Sequence, residues 1–255
     1  MPYGQIPQWS DRNSAQAFDS RYSDEGLRFW VPRLIEVGTI TEGQTILDAG
    51  SGTGGFGAGV SAASGARVIG CDIAERFIRY ARDNHAPIGW WMVGDAARLP
   101  LRDQTVDRVL MSLLLHRVPE PATVIAEAAR VLRSSGALLI HTIAPEDAAV
   151  TAPYRYFPHM AAAQRRRMPA VARLDGWCRQ AGLTDTAISQ VTRPMAIDAD
   201  ALEKRIYEER PHRYPDISAT ELTEGMQQLR IDQDRHGGPW YESRVHTLMT
   251  AERPE

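Results

Sequence analysis

Residues Thr45–Gly55 read TILDAGSGTGG, and the fold follows from how this stretch is parsed. An apolar run, Ile46 and Leu47, ends in one carboxylate, Asp48, and breaks at once into glycines at 50, 52, 54 and 55. That is the pattern of a buried strand running into a tight turn. The small residues Phe56–Ser64 that follow suit a helix. Glycines tolerate positive φ and lack a Cβ, and the first N–H groups of a helix carry the positive end of its dipole. Strand, turn and helix start therefore form a surface that the polar groups of another molecule can approach closely.

The spacing G-x-G-x-x-G occurs twice here, as Gly50/Gly52/Gly55 and as Gly52/Gly54/Gly57, so a dinucleotide fingerprint is formally present. Three acids argue against it. Asp48 stands two residues before the first glycine, where a pyrophosphate turn has little use for a fixed negative charge. A second strand, Arg67–Asp72 (RVIGCD), ends in an acid, and so does the run Trp90–Asp95 (WWMVGD).

The set Asp48-x-Gly-x-Gly-x-Gly, Asp72 and Gly94-Asp95-Ala96-Ala97-Arg98-Leu99-Pro100 resembles the class I S-adenosylmethionine-dependent methyltransferases, in the branch acting on small molecules. The likeness covers about residues 40–145. It includes Asp72-Ile73-Ala74-Glu75 at the start of the second helix and Glu127-Ala128-Ala129-Arg130-Val131-Leu132-Arg133 before the fifth strand. The family's Pro-Gly-Gly turn is replaced by Ser134-Ser135-Gly136.

The resemblance implies an α/β fold: a Rossmann-like, doubly wound, mostly parallel seven-stranded sheet of order 3-2-1-4-5-7-6, with helices on both faces and an antiparallel last strand. It implies S-adenosylmethionine (SAM) as cofactor and S-adenosylhomocysteine as product. Gly50, Gly52 and Gly54 then face the amino-acid end, and Asp48 adds negative charge toward its ammonium. Asp72 accepts from the ribose hydroxyls, and Ile73 packs on the adenine face. Asp95 takes the exocyclic amine, and the Ala96 N–H meets a ring nitrogen. Met111 and Ser112 border the site after the fourth strand.

The acceptor is expected over the carboxyl ends of strands four and five, where the winding of such a sheet reverses. Methyl transfer is an in-line displacement whose barrier falls largely through alignment. His116 is the leading general base, since imidazole accepts protons near neutrality, and His141 is the second. Each has a blander account: His116 as a shaper of the loop, His141 as a satisfied buried strand residue. Tyr154, Tyr156 and Phe157 fall where family members carry a substrate lid, or else serve as packing.

With 255 residues, 43% of them hydrophobic, and no Gly/Ser/Pro linker, the chain reads as one domain, residues 1–255. A lid or helix is expected over 1–37, and helical elements over the acceptor site at 144–180 and 198–236. Net charge is −3, which gives no whole-chain footprint for nucleic acid or an anionic membrane. Of 29 basic residues only Lys204 is lysine, a skew that fits a G+C-rich genome better than phosphate binding.

Cys71 and Cys178 suggest neither a disulfide framework nor a zinc site, and no metal is expected. No leader or membrane-spanning run is evident, so a cytoplasmic protein is expected, with a homodimer allowed. The turn after strand four reads Ser112-Leu113-Leu114-Leu115-His116, with neither the Asn/Asp-Pro-Pro-Tyr of exocyclic-amine DNA methylases nor a cysteine nucleophile. The expected partner is a small molecule, in specialised metabolism. Two alternatives stay open: a nicotinamide-dependent oxidoreductase, and a SAM-binding protein of this fold that transfers no methyl group.

Apolar periodicity places a helix over Asp24–Val37 and another over Glu75–His85. It places strands at Ile88–Gly94, Val106–Ser112, Ala137–Ile143, Thr186–Val191 and Ser243–Ala251, and helices at Glu120–Leu132, Pro169–Gln180, Ala199–Glu209 and Ser218–Asp234. Residues 144–173, with four prolines, read as irregular.

Overall fold

A computed structural model describes residues 23–85, 89–148, 154–213 and 217–255. Residues 1–22 of the lid or helix expected over 1–37, the start of the third strand at Ile88 and part of the irregular segment, 149–153, lie outside the described residues. The elements run α1 (Asp24–Val37), β1 (Thr45–Ala49), α2 (Gly55–Ser64), β2 (Arg67–Asp72), α3 (Glu75–His85), β3 (Gly89–Val93), β4 (Val106–Ser112), α4 (Pro121–Val131) and β5 (Leu132–Thr142). They continue through α5 (Pro145–Ala148), α6 (Pro158–Arg167), α7 (Val171–Gln180), β6 (Thr184–Ile197), α8 (Ala199–Arg213), α9 (Ala219–His236) and β7 (Trp240–Glu252).

Among the described residues one seven-stranded sheet has the order β3-β2-β1-β4-β5-β7-β6, as the family resemblance implied. β1 pairs in parallel with β2 and β4, β2 with β3, and β4 with β5. Alternation along the strands divides two apolar layers. Leu47, Ala49, Ile69, Cys71, Val109, Met111, Leu138 and Ile140 share a buried cluster with Val124, Ile125 and Ala128 of α4 and with Leu174 and Cys178 of α7. The residues between them turn to the other face, where α2 lies close enough that a Cβ on Gly57 would meet Asp48 and Val68. No helix among the described residues is long and apolar enough to cross a membrane.

Sequence read one domain with appended pieces, and the chain divides into two compact units. The first holds residues 1–142, 171–189 and 248–255, the second 143–170 and 190–247. The second has buried residues of its own, Phe157, Met160, Leu222, Met226 and Leu229. There Ser218 caps α9 by accepting from the Glu221 N–H, and Glu221 in turn accepts from His159 N–H at 2.7 Å at the start of α6.

Several boundaries differ from the sequence reading, three of them by the most. β5 begins directly after α4 at Leu132, and Ser134-Ser135-Gly136 form an irregularity inside it: Val106 pairs with Leu132 while Arg108 pairs with Ala137. Ser135 has a φ of 59°, and its N–H bonds to Arg253 across the gap. Pro158 sits in the first turn of α6, where its missing N–H costs nothing, so a segment read as irregular is helical. β6 runs on through Pro194 to Ile197, which an outer strand tolerates.

Candidate active site

The site is built in the first unit on the carboxyl ends of β1, β2 and β3. The turn after β1 is set by backbone geometry: Gly50, Gly52 and Gly54 have φ of 71°, 56° and 88°. The Gly50 and Ser51 N–H groups both donate to the Cys71 carbonyl, at 2.8 and 3.1 Å, so the turn is tied to β2. Gly54 begins α2 in the left-handed region, and a Cβ there would stand 2.6 Å from Trp91 Cη2. Trp91 of β3 thus requires glycine at this point, a contact that the local pattern of the turn does not reveal.

Asp72 grips the same turn. One carboxylate oxygen accepts from the Gly52 N–H at 2.9 Å and the other from the Ala74 N–H at 2.8 Å. A carboxylate offers about four acceptor positions, so capacity remains for two hydroxyls. Burial raises the Asp72 pKa, against the lowering by these two N–H groups and by the charges of Arg117 and Arg76. The next side chain, Ile73, is 43% exposed, an apolar surface beside the acid.

Asp48 is 1% exposed, and its Oδ2 has no hydrogen-bond partner among the described residues. Burial pushes its pKa up to about 7; the Gly57 N–H opposes this and the charge of Asp72 adds to it. Ser51 Oγ is also buried without a partner. Asp95 folds its own loop: its Oδ1 accepts from Ala97 N–H at 2.9 Å, and its carbonyl from Arg98 N–H at 2.9 Å. Ala96 is half-buried between them.

The thiol of Cys71 reports how these acids converge. Its pKa is pushed up to about 12 by burial first, then by the charges of Asp72, Asp95 and Asp48. Three carboxylates from three adjacent strands therefore act on one sulfur. A pyrophosphate would meet that concentration of negative charge, whereas a ligand carrying an ammonium, a sulfonium, hydroxyls and an exocyclic amine complements it.

β4 supplies the far side. Met111 is buried in the core. Ser112 Oγ lies 2.8 Å from His141 Nδ1 of β5, and the His141 ring packs on Trp30 at 4.3 Å between centroids and edge-on to Phe56 at 6.0 Å. His141 is thus a hydrogen-bonded core residue. Leu113 holds a φ of 52°, and Leu114 projects onto the turn, where a Cβ on Gly50 would meet its Cδ1 at 2.5 Å. His116 is half-buried in the same loop.

Tyr154, Tyr156 and Phe157 belong to the second unit and are buried. Tyr154 donates to Gln164 at 2.8 Å and Tyr156 to Asp232 at 3.0 Å, and a Cβ on Gly225 would collide with the Phe157 ring. Sequence reasoning had no role for Glu127 and Arg130, which hold the loop after Asp95. Their spacing, three apart on a helix, was the available signal.

Comparison with known proteins bears on this geometry. Residues 47–140 match the family described as a methyltransferase domain. A biotin biosynthesis bifunctional protein BioHC of Cellvibrio japonicus is 39% identical over 100 residues, 39% of this chain and 20% of that protein. A ubiquinone/menaquinone biosynthesis C-methyltransferase UbiE of Paracoccus denitrificans is 33% identical over 119 residues, 44% of this chain and 48% of that one. The chain thus spans about half or less of the length of these relatives. A phosphoethanolamine N-methyltransferase 2 of Haemonchus contortus, solved with phosphomonomethylethanolamine and S-adenosylhomocysteine, superposes with a TM-score of 0.64 at 14% identity, over 98% of this chain and 59% of that one, a likeness of fold. Residues 47–140 thus match a methyltransferase domain, and the strand order of the sheet is the one that the resemblance to the class I S-adenosylmethionine-dependent methyltransferases implied.

Proposed function

We propose that this chain transfers the methyl group of S-adenosylmethionine to oxygen, nitrogen or carbon of a small organic acceptor, as a step in specialised metabolism. The observation that carries the reading is the convergence of Asp48, Asp72 and Asp95 around Cys71, beside a turn whose glycines leave backbone open to a ligand. When bound, the cofactor supplies a methyl group on a sulfonium, already activated for displacement. In this reading the Gly50–Gly54 turn and Asp48 hold the amino-acid end, Asp72 the ribose hydroxyls, Ile73 and the Ala96 N–H the adenine, and Asp95 its amine.

The remaining work falls to alignment. Met111 and Ser112 close the far side of the site, with Ser112 fixed by its bond to His141. His116 accepts a proton from an acceptor that arrives protonated and releases it to solvent. His141, packed on Trp30 and bonded to Ser112, serves the shape of the site instead of a proton transfer. The relatives named for quinone and biotin biosynthesis support an acceptor that is not a nucleic acid.

The test is transfer of labelled methyl from S-adenosylmethionine to a panel of phenols, amines and activated carbon acids. A methylated product with stoichiometric S-adenosylhomocysteine supports the reading. Tight cofactor binding with no product from any acceptor class overturns methyl transfer while leaving the binding site intact.

A further inference from the structure

We infer that Arg130, with Glu127, is a positioning residue that sets the adenine selectivity of the site by clamping the loop that follows Asp95. This rests on the reading that Asp95 accepts from the exocyclic amine of adenine. The loop from Asp95 to Asp103 carries little regular structure, and its apolar anchor is Leu99, buried in the main cluster. Between Asp95 and that anchor the chain is a tight turn closed on Asp95 itself, by the Ala97 N–H to its side chain and the Arg98 N–H to its carbonyl. The turn that carries the Asp95 carboxylate is therefore held on one side by Gly94, whose N–H donates to the Asp72 carbonyl at 3.0 Å, and on the other by residues 99–103.

Those residues are held from α4 by two side chains. Arg130 donates to the Leu99 carbonyl at 3.2 Å, the Leu101 carbonyl at 2.9 Å and Asp103 Oδ1 at 2.7 Å. Through its other edge it makes a two-pronged pair with Glu127, at 2.8 Å to each oxygen. Glu127 Oε2 also accepts from the Leu99 N–H at 2.9 Å, so both polar groups of the Leu99 backbone are taken by this pair. The guanidinium fork lies first among the causes that hold the Glu127 carboxyl below its usual range.

Only a planar fork can meet these partners at once. Lysine keeps the charge but is a point donor without the fixed spread of five N–H groups. Glutamine at 127 would aim an NH₂ at a donor, either Arg130 or the Leu99 N–H. Neither side chain touches the adenine in this reading, and both act through the loop.

The experiment compares binding of S-adenosyl-L-homocysteine with that of its 6-oxo counterpart, S-inosyl-L-homocysteine, whose carbonyl opposes a carboxylate where the amine donated. Wild type is expected to prefer the adenine form by about tenfold or more, since a buried acceptor is left facing an acceptor. Arg130→Lys is expected to bring that ratio close to one while thermal unfolding shows a folded protein. Glu127→Gln does the same with the Arg130 bonds to Leu101 and Asp103 in place, and carries the measurement if Arg130→Lys fails to fold. A wild type that prefers adenine alongside variants that keep the full ratio overturns the clamp and spares the Asp95 reading. A wild type indifferent to the two ligands overturns the Asp95 reading, and the clamp falls with it.

Discussion

Replacing Asp48 by asparagine removes one charge from the most enclosed part of the site, and the structure fixes the sign of the result. The Asp48 carboxyl titrates near 7 in the folded chain against an ordinary 3.8, because burial disfavours its anion, the Gly57 N–H offsets only part of that, and Asp72 adds repulsion. A folded-state pKa above the unfolded one means that the folded chain holds a proton the unfolded chain has lost. Stability therefore falls as pH rises between about 4 and 7.

At about 1.36 kcal/mol for each tenfold, the rise from 3.8 to about 7 corresponds to about 4 kcal/mol of destabilisation at pH 8, an upper figure because buried sites relax. Asp48→Asn, nearly isosteric and neutral, is expected to match wild type below about pH 4, to exceed it increasingly between about pH 4 and 7, and to hold a nearly level advantage up to pH 8. Urea unfolding at a series of pH values measures the difference curve, in which contributions from groups that do not interact with Asp48 cancel, while relief of the Asp48–Asp72 repulsion adds to the gain of the variant at high pH. Binding runs the other way: S-adenosylhomocysteine, with its ammonium, should bind wild type more tightly as pH rises through 7 and lose that dependence in the variant. A stability difference equal at pH 5 and pH 8 would refute the reasoning.

Asp72→Asn exchanges a doubly bonded acceptor for a group with one acceptor, so affinity for S-adenosylhomocysteine by calorimetry is expected to drop about ten- to a hundredfold; unchanged affinity would remove Asp72 from the cofactor site. Gly54→Ala adds a Cβ at a φ of 88° and 2.6 Å from Trp91, and denaturant unfolding should show a loss of about 3 kcal/mol from strain and overpacking together. His141→Ala opens the packing against Trp30 and orphans Ser112, costing about 2–4 kcal/mol in the same assay. His116→Ala should lower kcat about a hundredfold on an acceptor that must lose a proton, in a chain that circular dichroism shows to be folded; an unchanged pH–rate profile would end its role as base.

What could be read in the sequence was what local chemistry dictates. Arg67–Asp72, Val106–Ser112, Asp24–Val37 and Glu75–His85 were recognisable to the residue, because apolar period and flanking glycine or acid agree there. The three acids were recognisable because each ends an apolar run. Less legible were features decided by distant partners. Ser134–Gly136 read as a turn, yet Arg253 pairs with this segment and makes it part of β5. The segment around Pro158 read as irregular and the sixth strand as Thr186–Val191, yet Pro158 in a first helical turn and Pro194 in an outer strand are both tolerated. The rings of Tyr154, Tyr156 and Phe157 carry no sign in the sequence of how deeply they sit, and the structure buries all three within the second unit. The spacing of Glu127 and Arg130 marked the pair, but the hold of Arg130 on the loop was not legible because Leu99, Leu101 and Asp103 lie about 30 residues away in sequence.

The central claim is that the bend at Gly50–Gly54 and the three acids receive a nucleoside bearing positive charge and no phosphate. Parallel calorimetric titrations of the intact chain with S-adenosylhomocysteine and with NADH at pH 8 test it most directly. Saturable binding of the first, weakened in Asp72→Asn, with no binding of the second is the predicted result. Saturable binding of NADH with none of S-adenosylhomocysteine would contradict the account.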